Sequence, residues 1–196
     1  GGNLLRAVQR GAGEYDLFLR PDLHTHGHTQ WFYFMVSNTH PPGVSGPHRV
    51  RFNIVNLTKP DSLFSMGMRL VIYSHKDAAQ RGIGWRRCGE GIDYRGNGYS
   101  CYKPDGSQVS FYTLSFSVEF ENPGDTYRLA HSYPYTYTDH KRHLASLLAD
   151  EKTSRSLSHT VLCHTLAGNE CDLLTITDFD DEGGGDEYAH SQTQGQ

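Results

Sequence analysis

The sequence predicts a mainly β fold: an antiparallel β-sandwich of about nine strands with one short helix, followed by the first strands of another domain. Three observations carry this. Aromatic residues make up 12% of the chain, with 12 Tyr and 9 Phe, and they fall in runs broken by 21 Gly and 8 Pro, the composition of strands and tight turns. Several runs alternate apolar and polar residues, the period of a strand with one buried face. Helical spacing of leucines appears in one place, at Leu144, Leu147 and Leu148. With 196 residues, the chain can bury roughly 70% of its unfolded surface in one domain.

Taken in order, Gly2-Asn3-Leu4 opens a short edge, and Glu14 to Arg20 alternates with Tyr15, Leu17 and Leu19 on one face before Arg20-Pro21-Asp22 ends it. Gln30 to Ser37 is apolar on both faces, as a strand central to a sandwich requires. After a Pro-rich loop over 41–47, Val50, Phe52 and Ile54 alternate toward Leu57, Lys59-Pro60-Asp61 turns the chain, and Met68 to Ser74 is a further strand. Between 75 and 109 the signal weakens, with short strands near Gly84–Cys88 and Ile92–Tyr94 and a hairpin tip over Tyr99–Asp105.

The organising stretch is Ser110 to Leu148. Tyr112, Leu114, Phe116, Val118 and Phe120 share one strand face, opposite Thr113, Ser115, Ser117 and Glu119. Asn122-Pro123-Gly124-Asp125 is turn chemistry, and Tyr127, Leu129 and His131 resume the alternation, so the pair reads as a hairpin. An aromatic corner, Tyr133-Pro134-Tyr135-Thr136-Tyr137-Thr138, leads to a helix capped by Thr138 or Asp139. Arg155 to Ser158 is linker-like, and Val161–Thr165 and Leu173–Thr177 form two strands joined at Gly168-Asn169. From Asp178 the chain is acidic and glycine-rich, too polar to build a core. The expected domains are a sandwich over 1–150, a linker with the first strands of the next domain over 151–177, and a disordered tail over 178–196. Since the chain starts at Gly1, it is expected to be a piece of something longer.

A formal charge of −4 leaves no surplus of Lys and Arg for nucleic acid, and the longest apolar run, the six residues Trp31 to Val36, falls short of the ~20 of a membrane span. Cys88, Cys101, Cys163 and Cys171 have no framework spacing and are expected to be buried free thiols. His24, His26 and His28 at alternate positions would share a strand face and could approach a zinc ion, as could Cys163, His164 and Cys171 across the last hairpin. Against both stand the glycine beside the histidines, the loose cysteine spacing, and the absence of any His followed three residues later by Glu. No nucleophile elbow or phosphate loop occurs. Tyr133, Tyr135 and Tyr137 either close the sandwich end, the favoured reading, or form a binding ledge; Lys141, Arg142 and His143 make a basic stripe on the helix.

These residues also resemble a known family. Gly2-Asn3-Leu4, Glu14-Tyr15-Asp16-Leu17, Arg20-Pro21-Asp22, Gln30-Trp31-Phe32-Tyr33-Phe34, Phe52-Asn53-Ile54-Val55-Asn56, Gly67-Met68, Tyr73-Ser74, Gly84-Trp85, the aromatic hexapeptide at Tyr133 and Cys163-His164-Thr165-Leu166-Ala167-Gly168-Asn169 occur in one order. Together they resemble the amino-terminal β-sandwich domain of the cytosolic carboxypeptidases, zinc peptidases that trim glutamates from tubulin and other proteins. The resemblance implies a non-catalytic domain that packs on its own α/β carboxypeptidase domain, supports folding and shapes substrate access, with Val161–Thr177 entering that domain. It implies zinc in the parent enzyme, cytoplasmic location with microtubule, centriole or cilium association, and tubulin or another polyglutamylated protein as partner. No catalytic or metal residue matches a position here, so this chain alone is expected to be inert, with no cofactor of its own. Tyr135, Tyr137, Arg69, Lys141 and Arg142 are the candidate interdomain or substrate contacts, with Arg6, Arg10 and Arg51 as further sources of positive charge. The alternative is a stand-alone β-sandwich that binds protein through the tyrosine ledge.

Overall fold

A computed structural model describes residues 2–25 and 27–179. The acidic tail expected over 178–196 thus lies almost wholly outside the described residues. The chain divides into two compact units, with the division between Thr136 and Tyr137.

The first unit holds nine strands: β1 Leu4–Gly11, β2 Glu14–Leu19, β3 Tyr33–Ser37, β4 His48–Leu57, β5 Leu70–Ser74, β6 Arg86–Cys88, β7 Glu90–Tyr102, β8 Gln108–Phe120 and β9 Thr126–Ala130. They form a five-stranded sheet in the order β1-β2-β4-β8-β7 and a four-stranded sheet in the order β3-β9-β5-β6. Inward residues of both sheets make one core, in which Phe32 and Phe116 (6.2 Å between centroids), Phe34 and Phe52 (5.9 Å) and Phe120 and Tyr127 (4.8 Å) meet. Each such fully buried side chain contributes roughly 1.5–3 kcal/mol. The faces predicted for β2, β4, β8 and β9 are those observed, with Leu17, Leu19, Phe52, Ile54, Leu114 and Leu129 buried.

The connectivity differs from the expectation in four respects. β8 and β9 are not a hairpin: β8 pairs with β4 and β7, whereas β9 pairs with β3 and β5. The turn at Asn122–Asp125 instead carries the chain from one sheet to the other, because Phe120 and Tyr127 both point into the shared core and meet there at a tilt of 56°. β3 lies at an edge rather than at the centre. Its outward aromatics are explained by a surface cluster described below. Not every pairing is antiparallel, since β2 and β4 run parallel. Finally, β7 runs unbroken from Glu90 to Tyr102, where only a short strand is predicted.

The sequence also hides a helix. α1, His75–Arg81, follows β5 directly; Ser74 caps it by accepting from the Asp77 amide, and Gly82 ends it in the left-handed conformation at φ 67°. Ser74 and Asp77 form a capping pair three residues apart, a signal too short to separate from the strand before it.

In the second unit, α2 (Tyr137–Ala149) begins slightly earlier than the predicted cap and buries Leu144. A single turn, α3 (Glu151–Ser154), replaces part of the expected linker, capped by Asp150. β10 (Leu157–His164) and β11 (Glu170–Ile176) form the predicted antiparallel hairpin. Among the described residues, no helix is long and apolar enough to cross a membrane.

Candidate functional site

The outer face of the four-stranded sheet carries a continuous aromatic surface. Strand alternation turns Tyr33 and Met35 of β3, Arg128 of β9 and Tyr73 of β5 away from the core. The rings connect in series: Trp31 to Tyr33 at 6.0 Å, Tyr33 to Trp85 at 6.1 Å, Trp85 to Tyr73 at 5.5 Å and Tyr73 to His75 at 5.3 Å. Arg128 ties the ends together, donating from Nη1 to the Tyr33 hydroxyl (3.0 Å) and from Nε to His75 Nε2 (3.1 Å). Nearby on this unit, the Arg87 guanidinium stands 5.4 Å from the Tyr133 ring. Flat rings with a guanidinium between them offer stacking and charge-assisted hydrogen bonds together, the chemistry of a protein-docking face.

Beneath this surface, a buried polar cluster fixes the link between β5, α1 and the β8–β9 turn. Ser74 Oγ donates to Asp125, whose other carboxylate oxygen accepts from the Lys76 and Thr126 amides. Asn122 Nδ2 donates to Asp77 at 2.8 Å, and Arg81 bonds the same carboxylate at 2.9 Å. Burial pushes the Asp77 carboxyl up, but the bonds from Asn122 and Arg81 outweigh it and hold it below the usual range.

Within the second unit, three groups converge on Asp172. Lys141 Nζ (2.9 Å), His140 Nε2 (2.9 Å) and His159 Nε2 (2.7 Å) all contact its carboxylate, and Lys141 also reaches Glu170 at 3.0 Å. Hydrogen bonds from Lys141 and His159 hold Asp172 well below the ordinary carboxylate value, and those to Asp172 and Glu170 raise Lys141. The cluster bonds α2 to the hairpin.

The predicted contact residues separate accordingly. Tyr137 and Lys141 come together, with the ammonium 5.9 Å from the ring, while Arg142 turns to Asp139 at 3.1 Å. Arg69 donates to the Gly89 carbonyl, holding β5 to the turn before β7. Tyr133 and Tyr135, favoured to close the sandwich end, are 55% and 65% exposed, and Tyr137 at the start of α2 is 40% exposed. Pro134 keeps 133–136 out of regular structure. Of the further basic residues, Arg6 stacks over Phe18 at 4.3 Å and Arg10 pairs with Asp16 at 3.3 Å.

Neither zinc reading survives. His24 sits in a turn at φ 57°, so the alternation needed for a shared strand face is missing, and His26 lies outside the described residues. His164 pairs with Glu170 and faces away from the adjoining Cys163–Cys171 pair. Among the described residues, no group of three His, Cys, Asp or Glu side chains could hold a metal ion. The described residues therefore do not fit the zinc that the resemblance implies. The cysteines are free as expected, but Cys101 and Cys163 are exposed rather than buried.

The outer aromatic strip was the main feature missed. Its signal was the alternation of Trp31, Tyr33 and Met35 against Phe32 and Phe34, which marks two different faces rather than one doubly buried strand.

The fold has counterparts among solved structures. It is similar to solved metallocarboxypeptidase structures: a putative carboxypeptidase A from Shewanella denitrificans (TM-score 0.55, 21% identity, 91% of this chain and 38% of that one) and a metallo-carboxypeptidase from Burkholderia cenocepacia (TM-score 0.53, 16% identity, 96% and 39%). No protein-family model matches the chain. Among curated relatives, it is 46% identical over 176 residues to human cytosolic carboxypeptidase 2, covering 90% of this chain and 18% of that protein. Over the same length it is 47% identical to the Xenopus tropicalis cytosolic carboxypeptidase 2, with 17% of that protein covered, and it is 40% identical over 179 residues to zebrafish cytosolic carboxypeptidase 1, with 15% covered. Across this stretch the chain belongs to the cytosolic carboxypeptidase family, as its motifs imply. It spans about one-fifth of the length of the curated relatives it matches.

Proposed function

We propose that this chain is a non-catalytic amino-terminal part of a zinc metallocarboxypeptidase that removes glutamates from polyglutamylated proteins such as tubulin, and that it supports folding and substrate access. One observation carries this: 40–47% identity to cytosolic carboxypeptidases runs through nearly the whole chain, yet no metal-ligating group of three occurs among its described residues. The sandwich is the scaffold, β10 and β11 are the entry to the carboxypeptidase domain, and that domain is the first partner. The aromatic face with Arg128, formed by an edge strand and its neighbours, is of the kind that docks another protein surface, which favours a packing role over a catalytic one. On this proposal the chain works in the cytoplasm, and microtubule, centriole or cilium association follows from the substrate.

The test compares two proteins, this chain and the same chain extended through its downstream sequence, on a glutamate-tailed peptide with zinc supplied. Glutamate release by the extended protein alone is the expected result. Turnover by the 196-residue chain, or none from an extended protein that is folded and zinc-loaded, overturns the proposal.

A further inference from the structure

Residues directly opposite one another in antiparallel strands stand about 4.5 or 5.5 Å apart at Cα, within the roughly 4.4–6.8 Å that a disulfide spans. Cys163 of β10 and Cys171 of β11 are such partners. As cross-strand partners their side chains lie on the same face of the hairpin. The turn beyond them is closed by the Thr165 amide donating to the Asn169 carbonyl at 2.8 Å, which holds the two strands in this register. Cys163 is open to solvent and Cys171 is half-buried, and neither is bonded to another cysteine. The other two thiols lack this arrangement. Cys101 is exposed but stands opposite Val109. Burial pushes the Cys88 thiol up to about 12, which makes it inert.

We propose that Cys163 and Cys171 form a reversible redox pair, which closes to a cross-strand disulfide by exchange with a low-molecular-weight disulfide such as glutathione disulfide. Cys163, the exposed member, attacks as its thiolate. The sulfur–sulfur bond of glutathione disulfide breaks, one glutathione leaves as thiolate and is protonated, and a mixed disulfide remains on Cys163. Cys171 then loses its proton and attacks Cys163 Sγ, expelling the second glutathione, which is protonated in turn. Two cysteine thiols are oxidised, one glutathione disulfide is reduced to two glutathiones, and both protons end on those thiols. The roles follow from the environment. The neighbouring Cys163 thiol, burial and the nearby Asp172 carboxylate hold the Cys171 thiol above its ordinary value, so it keeps its proton until the first exchange has occurred. The short exposed ring makes the bond a labile switch rather than a structural staple. Its effect is to lock the hairpin across the register shift between Val161 and Cys163.

The test incubates the whole chain in glutathione buffers of increasing disulfide share, quenches with acid, blocks remaining thiols and maps non-reduced peptides by mass spectrometry. The expected product is an intramolecular Cys163–Cys171 link that forms before any adduct at Cys101. In Cys171→Ser, glutathione should accumulate on Cys163 about tenfold above the unsubstituted chain, because the second exchange is blocked. The proposal falls if the unsubstituted chain carries as much glutathione on Cys163 as Cys171→Ser does. It also falls if Cys101 is modified while the pair stays reduced. The second outcome is read on the unsubstituted chain alone, so it stands even if the variant folds poorly.

Discussion

Gly89 shows how much a single residue can hold without any side chain. Its φ is 100°, and a Cβ built there would lie 2.5 Å from Cδ2 of the core residue Leu70 and 3.2 Å from Cδ1 of Ile92. Gly89→Ala therefore combines backbone strain with overpacking, an expected loss of about 3 kcal/mol. Gly43→Ala, at φ 82° with nothing within 4 Å, should lose only about 1 kcal/mol. Urea midpoints of the two variants measure the difference, and equal losses would show that the contact with Leu70 contributes nothing. The sequence cannot separate these two glycines, because the neighbour that matters comes from another strand. The same blindness applies to Ser115 and Ser117. Alternation places them correctly opposite Leu114 and Phe116, yet both are buried, and Ser115 donates to Asn53, which in turn donates to Glu14 and Asp16 across the sheet. A polar face that satisfies itself this way is indistinguishable from a solvated one until the strands are paired.

At the scale of elements, the sequence shows which face of a strand is buried but not which strand lies beside it. The alternation over 111–120 and 127–129 is legible because one face of each strand must enter an apolar core. Pairing depends on contacts distant in sequence, so a turn between sheets at Asn122–Asp125 looks the same as a hairpin turn. The cluster at Asp172 has the same character: the basic stripe on α2 was visible, its acidic counterpart on β11 was not matched to it. This pairing has a defined pH window. Asp172 is depressed, so its contribution is complete above the ordinary carboxylate value of ~3.9 and is lost as pH falls through its lower folded value. Lys141 is raised, so its contribution is complete below ~10.4 and is lost as pH rises through its higher folded value. Between pH 5 and 9, by these reference values, neither group should weaken α2. Asp172→Asn should therefore lower amide-exchange protection of α2 at neutral pH while leaving β4 and β8 unchanged. Equal loss in both places would mean that Asp172 acts on the fold as a whole.

Considering the whole molecule, charge decides what it can hold unaided. A polyglutamate chain is a run of like charges, and its site needs several unengaged Arg or Lys groups close together. The chain carries a formal −4, and four of its six candidate cations are already committed. Lys141 is bonded to Asp172 and Glu170, Arg10 to Asp16, Arg142 to Asp139, and Arg69 to a backbone carbonyl. Recruiting any of them for a glutamate side chain means breaking a bond the fold already makes, so the net gain per contact is small. Binding of a glutamate oligomer to this chain should be weaker than about 1 mM at physiological salt, equivalent to less than ~4 kcal/mol. What little remains should vanish as salt screens it. Titration of the isotope-labelled chain with a glutamate decamer, followed by amide chemical shifts, measures this directly. Saturable shifts in the micromolar range, centred on Arg69 or Arg142, would assign substrate recognition to this chain itself. Their absence would show that this chain does not by itself hold a polyglutamate segment.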